Sequence, residues 1–317
     1  MAVNEPVAVV GCGLVGRAWA IAFARSGCPV RLYDPVAATA EAAVEFAKSV
    51  LPDLEKNDLL NGWSGAEVAA RLQVVPGLAA ALDGAAYVQE SVFEDLEVKR
   101  KLFPELDAAA GPDTILASST SAILPSKFTD HVKGRHRCIV VHPINPPYLV
   151  PAVEVVPAPW TDPKVVERTR DFIVRVGQSP IVMKREIDGF VMNRMQGALL
   201  QEAFRLVAEG YASAEDVDIG IRDGLGLRWS FMGPYETIDL NAPGGVRDYV
   251  ARYESIYTRM WPSQQHIVPW GEAIDRIESA RAEKLPRAQL AERARWRDRR
   301  LMALVAHKRR AAKDIGK

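Results

Sequence analysis

A histidine followed by several prolines could carry out acid–base chemistry in this sequence. His142 ends the apolar run IVVH, and the next six residues, PINPPY, include three prolines. Proline fixes its own φ and disfavours helix in the preceding residue, so His142 is predicted at a strand end, pointing beyond the sheet. Histidine as a residue type gains and loses a proton near neutral pH, which suits it to acid–base catalysis. A structural histidine satisfied near a turn is the alternative.

A glutamate twelve residues later could be the partner of this histidine. Glu154 lies in the β-branched run AVEVVP at 152–157, where an unpaired acid is costly to bury. If the proline-rich segment connects two strands, this carboxylate can contact the ring nitrogen that faces away from a substrate. It would then fix the tautomer of His142 and stabilise the imidazolium. Strand alternation alone would equally allow Glu154 to face outward.

A glycine-rich loop near the N-terminus predicts a dinucleotide site. The loop GCGLVG directly follows the apolar run PVAVV and opens the helical stretch RAWAIAFARSG. In such a βαβ unit the glycines permit a tight turn, approach of the backbone to a pyrophosphate, and close packing of helix on strand. A purely structural glycine turn is the alternative. The predicted cofactor-binding residues of the loop are Gly11, Gly13, Leu14, Val15 and Gly16.

The end of the second predicted strand indicates which dinucleotide binds. Asp34 follows the run PVRLY, where a carboxylate can accept hydrogen bonds from the adenosine ribose diol. A carboxylate at this position repels a 2′-phosphate, and the next residue is Pro35 instead of an arginine. The predicted cofactor is therefore NAD, not NADP.

The elements that must position these residues alternate along the first half of the chain. Apolar runs at 6–10, 29–33, 86–92, 114–119, 137–142, 152–157 and 179–183 are separated by helix-length stretches. This alternation predicts an α/β fold, a Rossmann-type doubly wound and mostly parallel sheet. From about Asp188 the pattern becomes helical, so we predict an NAD-binding domain at 1–187 and an all-α C-terminal domain at 188–317. The basic tail from Arg287 is predicted as a solvated or subunit-contacting helix.

Composition excludes several classes of ligand. The 317 residues include 40 basic and 40 acidic side chains, so no net charge favours nucleic acid or an anionic membrane. A small-molecule ligand is expected. Three scattered cysteines have neither metal-ligand spacing nor an even count for disulfides, which predicts no metal and a cytoplasmic location. No signal peptide is predicted, because the N-terminal residues MAVNEP have no basic region before the apolar stretch, and no membrane span is predicted, because no apolar run approaches about 18 residues.

The motifs together resemble a known family over nearly the whole chain. The glycine-rich loop with Asp34, SVFEDLEVKRKLF, ASSTS, VHPINPP and DGFVMNR are similar to the L-3-hydroxyacyl-CoA dehydrogenase superfamily. Within it, HPINPPYLVPAVEVVP and GLGLRWSFMGPYET are most similar to the lambda-crystallin branch, whose enzymatic member is L-gulonate 3-dehydrogenase. The resemblance implies NAD-dependent oxidation of a C3 hydroxyl and a homodimer formed through the helical domain.

The resemblance also implies roles for individual residues. His142 would be the acid/base, Glu154 would orient it, and Ser121 and Asn193 would hydrogen-bond the substrate oxygen. Taken alone, Ser121 is equally typical of a turn or helix N-cap, and Asn193 of an exposed helix position. The resemblance further implies that Glu94 and Lys99 contact the cofactor near its nicotinamide ribose, although their spacing is also typical of a charged helix face.

Charge helps to choose among substrates that the resemblance allows. Residues 36–72 contain three basic and six acidic side chains, which would disfavour the phosphates of coenzyme A. We therefore expect a small free hydroxy acid, specifically L-gulonate oxidised to 3-dehydro-L-gulonate. Arg228 could pair with the carboxylate of this acid, or it could form a structural ion pair. The alternatives are a 3-hydroxybutyryl-CoA dehydrogenase, an L-carnitine 3-dehydrogenase, and a crystallin-like NAD-binding protein without turnover.

Overall fold

One sheet organises the first part of the chain in the computed structural model, which describes residues 3–316. Eight strands are present among those residues, in the order β3-β2-β1-β4-β5-β6-β7-β8. All neighbouring strands are parallel except the antiparallel pair β6 and β7. The predicted doubly wound, mostly parallel sheet is confirmed. The strands are β1 (Val7–Val10), β2 (Val30–Tyr33), β3 (Leu72–Val74), β4 (Tyr87–Glu90), β5 (Ile115–Ser118), β6 (Cys138–Pro143), β7 (Ala152–Pro157) and β8 (Ser179–Val182).

The sheet is covered on both faces. All four residues of β1 are buried, as expected for a central parallel strand with helices above and below it. Val7 and Val9 belong to one buried apolar cluster, whereas Ala8 and Val10 belong to another. Successive side chains of a strand point to opposite faces, so the core consists of two layers, one on each side of the sheet.

The helices divide between two compact units. The first unit comprises the described residues through Asn193 and those from Arg297 onward, and the second is Arg194–Trp296. In chain order the helices are α1 (Leu14–Arg25), α2 (Ala37–Lys56), α3 (Gly65–Ala69), α4 (Leu78–Leu82), α5 (Leu96–Ala109), α6 (Pro125–Thr129), α7 (Pro163–Arg175), α8 (Met192–Ala208), α9 (Ala214–Ile219), α10 (Gly226–Trp229), α11 (Pro234–Leu240), α12 (Gly245–Gln264), α13 (Gly271–Lys284) and α14 (Leu290–Asp314). All regular elements described after β8 are helical, which agrees with the predicted all-α second half.

The C-terminal helix belongs largely to the nucleotide-binding unit. Met302 and Ala306 of α14 are buried in the apolar cluster that also contains α1 and α2 side chains. Arg299 contacts Asp53 at 3.1 Å, and Arg309 donates to the carbonyl of Asp58 at 3.3 Å. The basic tail is therefore neither fully solvated nor confined to the helical unit, because a narrow apolar face packs it against the α2 region.

The carboxyl ends of the central strands form a common edge. Val10 pairs in register with Glu90, and Glu90 pairs with Ser118. The strand order reverses between β1 and β4, and open α/β sheets bind ligands at the carboxyl edge of such a point. The dinucleotide loop, Glu94 and Ser121 follow the ends of β1, β4 and β5, respectively.

Candidate active site

The loop between β1 and α1 can be built only with glycine at two of its positions. Gly11 has a φ of +88°, and a Cβ there would lie 2.6 Å from the carbonyl carbon of Ser91. A Cβ on Gly16 would lie 1.9 Å from the carbonyl oxygen of Gly11. At Gly13, by contrast, a Cβ would meet no described atom within 4 Å. The loop is therefore tight on its protein side and open where a pyrophosphate would approach.

A cleft in front of this loop fits a dinucleotide. Its volume is about 630 Å³, within the range of small-molecule sites. Gly13, Leu14 and Val15 line one part of it, and no side chain caps the start of α1 at Gly13 among the described residues. The first turn of the helix therefore offers its positive dipole end to an anion. These features fit the predicted NAD site.

Asp34 lies at the same cleft with its carboxylate fixed by backbone groups. One oxygen accepts a hydrogen bond from the Cys12 N–H and the other from the Val36 N–H, both at 2.9 Å. Each oxygen keeps a further lone pair that a ribose hydroxyl could use. Burial raises the pKa of the Cys12 thiol to about 12, and the charge of Asp34 adds to this effect.

His142 and Glu154 lie opposite each other on neighbouring strands. The antiparallel register of β6 and β7 pairs these two residues directly. The Nδ1 atom of His142 is 2.6 Å from one carboxylate oxygen of Glu154. Glu154 is fully buried and His142 is 5% exposed. The predicted pair is therefore present in the geometry, and Glu154 faces inward.

The second oxygen of Glu154 is held by the start of α8. It accepts hydrogen bonds from the N–H groups of Val191 and Met192, at 2.6 and 2.8 Å. Phe190, just before them, has a φ of +49°, and its ring centroid is 5.6 Å from that of His142. These backbone donors and the Phe190 ring were missed by the sequence reasoning, because they depend on the turn that precedes α8.

This arrangement defines the chemistry available to the histidine. A carboxylate only accepts hydrogen bonds, so Nδ1 of His142 must carry a hydrogen toward Glu154. Nε2 is then the nitrogen that can take a proton from a substrate hydroxyl. The same contact would stabilise the imidazolium that forms, and two backbone donors prevent the carboxylate from rotating away.

Ser121 and Asn193 are also brought together. The side-chain amide of Asn193 donates to the carbonyl oxygen of Ser121 at 2.7 Å. Glu94 fixes the turn that contains Ser121. One of its carboxylate oxygens accepts hydrogen bonds from the Ser121 N–H at 2.8 Å and the Ala122 N–H at 3.1 Å. The Thr120 hydroxyl donates to this oxygen at 2.6 Å. Four of the predicted residues are thus linked pairwise, Ser121 with Asn193 and His142 with Glu154.

A buried ion pair beneath this turn was not predicted. Glu90, the last residue of β4, is fully buried and contacts Lys99 of α5 at 2.9 Å. Lys99 is 1% exposed and also lies 3.6 Å from Glu94. Its partners here are two glutamates, so the predicted contact with a cofactor remains a prediction. An acid inside a β-rich run was the signal that singled out Glu154, and the same signal in AYVQESV could have found Glu90.

Arg228 lies in the other compact unit. It is an exposed residue of the short helix α10. Its predicted contact with a substrate carboxylate therefore remains a prediction. Within residues 3–316 no group of three His, Cys, Asp or Glu side chains could hold a metal ion. None of the helices in this range is long and apolar enough to cross a membrane.

The fold and the site define a class of protein. A Rossmann sheet with a dinucleotide loop, followed by a buried histidine–glutamate pair at the carboxyl edge, is the arrangement of a dehydrogenase that transfers hydride from a hydroxyl-bearing carbon.

Comparison with protein families identifies the group within this class. Residues 6–187 match the NAD-binding domain of 3-hydroxyacyl-CoA dehydrogenase, and residues 189–276 match the C-terminal domain of the same enzymes. The chain belongs to the 3-hydroxyacyl-CoA dehydrogenase family. It is accordingly an NAD-dependent oxidoreductase that acts on a CH–OH group.

Individual relatives cover almost the whole chain. The protein is 41% identical to lambda-crystallin of Oryctolagus cuniculus, over 96% of each chain. It is 33% identical to L-carnitine dehydrogenase of a Pseudomonas species, over 94% of this chain and 92% of the relative. Among solved structures, 5-formyl-3-hydroxy-2-methylpyridine 4-carboxylic acid 5-dehydrogenase, described as an NAD+-dependent dismutase, matches with a TM-score of 0.75 and 26% identity, over 96% and 98% of the two chains.

Proposed function

We propose that the protein oxidises the C3 hydroxyl of a small free 3-hydroxy acid, with L-gulonate as the preferred substrate and 3-dehydro-L-gulonate as the product. The main support for the proposal is the distance of 2.6 Å between Nδ1 of His142 and a carboxylate oxygen of Glu154. This contact leaves Nε2 of the histidine as the proton acceptor, at the sheet edge that also carries the dinucleotide loop.

The side chains of this site have distinct roles in the proposed reaction. His142 removes the hydroxyl proton, and Glu154 stabilises the imidazolium that results. Ser121 and Asn193 hydrogen-bond the substrate oxygen and orient the C3–H bond. Gly11, Gly13, Leu14, Val15, Gly16 and Asp34 would hold NAD, which would supply the acceptor for the hydride of C3. Water must be kept away from the imidazolium, and the ring of Phe190 beside His142 contributes to this.

The choice of a free acid depends on similarity more than on charge. The excess of acids in residues 36–72 was the sequence argument against coenzyme A. However, Arg299 of α14 pairs with Asp53 in that segment, and Arg309 binds the carbonyl of Asp58. The tail thus brings two basic side chains to the acidic segment, which reduces its excess of acids and weakens the charge argument against phosphates. The similarity to the lambda-crystallin branch supports the proposed sugar acid.

The proposal is tested by comparing substrates. The purified protein with NAD is assayed for NADH formation with L-gulonate, L-carnitine, L-3-hydroxybutyrate and L-3-hydroxybutyryl-CoA at matched concentrations. The expected result is the highest kcat/KM for L-gulonate, with the His142→Asn variant as the inactive control. A higher kcat/KM for the thioester would overturn the free-acid proposal.

Two other functions are distinguished by the same assay. The L-carnitine dehydrogenase relative favours carnitine as the second candidate, and faster oxidation of carnitine than of gulonate would establish it. A protein that binds NAD with no turnover of any of the four compounds would instead support a crystallin-like structural role.

A single arginine is proposed to hold the substrate carboxylate. Arg228 offers a planar fork that fits a carboxylate, and its replacement by methionine should raise KM for the acid about tenfold, with little change in kcat. An unchanged KM in Arg228→Met would remove this residue from the site.

A second copy of this chain is the proposed partner. The helix α12 has no buried residue, although apolar side chains recur along one of its faces. Val246, Val250, Tyr253, Tyr257 and Met260 follow the spacing of a helix that packs against a partner, and all are exposed. Light scattering on the purified protein should give twice the mass of the chain, whereas a monomer would contradict this proposal.

A further inference from the structure

We propose that Glu90 is a positioning residue of the reaction, acting through Lys99 and Glu94 on the turn that carries Ser121. The inference deepens the proposed function and rests on it, because the turn contains Ser121 and binds Asn193, the two residues assigned to the substrate oxygen. Glu90 does not touch substrate or cofactor in this account.

The first step is the anchoring of Glu90 itself. Its carboxylate contacts Nζ of Lys99 with both oxygens, at 2.9 and 3.0 Å. One oxygen also accepts from the Val92 N–H at 2.7 Å, and the other accepts from the Ser118 hydroxyl. Glu90 is fully buried, so these contacts compensate for the lost hydration of its charge. The carboxylate therefore has one fixed position at the ends of β4 and β5.

The second step links this anchor to the edge of the site. Lys99 is fixed by Glu90 and lies 3.6 Å from the carboxylate of Glu94, whose side chain is 40% exposed. A glutamate at such a position would otherwise sample several rotamers. The ammonium group of Lys99 attracts it toward the protein, so the position of Glu94 depends on the ion pair below.

The third step connects Glu94 to the substrate residues. One of its oxygens accepts from the N–H groups of Ser121 and Ala122 and from the Thr120 hydroxyl. The turn fixed in this way presents the Ser121 carbonyl to the amide of Asn193. The Ser118 hydroxyl supports the turn from Glu90 as well, because it accepts from the Thr120 N–H at 3.2 Å.

Removing the charge of Glu90 should therefore move the turn. In Glu90→Gln, Lys99 loses its buried anion, and Glu94 becomes its nearest carboxylate. Glu94 would shift toward Lys99 and away from the amides of the turn. A displacement of about 1 Å at a reacting group costs on the order of 100-fold in rate, so kcat should fall by about this factor. The KM for NAD should rise as well, because this variant also displaces Glu94 and Lys99, which are predicted to contact the nicotinamide ribose.

A second buried ion pair provides a matched control. Arg137 contacts Asp107 at 2.6 Å, and both side chains are largely buried. Arg137 also binds the carbonyls of Gly111 and Thr114, which precede β5, so this pair lies at the opposite edge of the sheet. Asp107→Asn breaks a comparable pair away from the site. It should lower the midpoint of thermal unfolding while leaving kcat unchanged.

The test combines kinetics with hydrogen exchange. Wild type, Glu90→Gln and Asp107→Asn are compared for kcat, for KM of NAD, and for amide exchange in peptides covering Ser121 and Ala122. Only Glu90→Gln should show both the lower kcat and faster exchange of these amides. Wild-type kcat and exchange in folded Glu90→Gln would overturn the proposal. If no hydroxy acid is oxidised by wild type, the proposed function fails and the exchange result alone decides this inference.

A double variant covers the case in which Glu90→Gln does not fold. Glu90→Gln with Lys99→Met leaves no unpaired buried charge, so it should remain folded. It still removes the cation that holds Glu94, and the same loss of kcat and faster exchange are expected. Wild-type values of both quantities in this variant would contradict the proposal.

Discussion

Two glutamates of one sheet, Glu154 on β7 and Glu90 at the end of β4, are both fully buried but have different partners. Glu154 holds a histidine ring that keeps a second nitrogen for chemistry. Glu90 holds a lysine that contacts only glutamates in the described network. The same buried carboxylate can therefore serve a proton transfer or fix a neighbouring turn, and its partner decides which.

The largest effect is expected when the partner of the histidine is changed. Glu154→Gln can offer an amide hydrogen to Nδ1 of His142, which favours the wrong tautomer and removes the charge that stabilises the imidazolium. By analogy with the serine protease triad, kcat should fall by about 10³ to 10⁴. Steady-state kinetics would measure this loss. A kcat within a few-fold of wild type would mean that Glu154 does not serve the proton transfer and differs from Glu90 only in its structural partner.

An intermediate loss of kcat is expected for Asn193, which lies between the contacts of Glu154 and the turn that Glu94 supports. Glu154 binds the backbone just before Asn193, and the Asn193 side chain binds the turn that Glu94 supports. Asn193→Ala removes one proposed donor to the substrate oxygen and one contact with Ser121, so kcat should fall about 100-fold.

A double-mutant cycle sharpens this comparison. If Glu90 acts through the Ser121 turn, Glu90→Gln should add little to the loss of kcat in Asn193→Ala, because both variants disturb the same contact. Fully additive losses would mean that the two residues act independently.

The last prediction affects catalysis least, because it concerns the labelling rate of the Cys12 thiol beside Asp34. Asp34 faces the cleft and lies beside the buried thiol of Cys12, whose pKa is raised to about 12 by burial and by this charge. The thiol stays protonated at neutral pH, so its alkylation in the folded protein should be at least about 100-fold slower than that of a free thiol. Mass spectrometry after iodoacetamide treatment measures the rate, and rapid labelling of Cys12 would contradict the buried position.

Much of the fold follows from the sequence because the strands are short apolar runs between glycines and prolines. All seven predicted runs contain a strand. The strand that was missed, Leu72–Val74, has only three residues and an exposed glutamine at its centre, so periodicity gives no signal. The sequence analysis placed the C-terminal helix in the helical domain, whereas its residues from Arg297 onward belong to the first compact unit. A basic helix with few apolar residues does not indicate where its narrow apolar face will pack.

The residues of the candidate site were only partly predictable from the sequence. His142 and Glu154 could be proposed as a pair because a proline-rich connection can join their two strands, although alternation alone left the direction of Glu154 open. Glu90 and Lys99 instead resembled a strand residue and a charged helix face, and their contact depends on how α5 packs on β4. The backbone donors of Val191 and Met192 have no side-chain signal at all.

The central claim is that His142 transfers the proton during oxidation of a 3-hydroxy acid. It is tested most directly by measuring kcat of His142→Asn together with its affinity for NAD. We expect wild-type NAD binding and a kcat lower by on the order of 10⁴. A variant that binds NAD and keeps the wild-type kcat would contradict it.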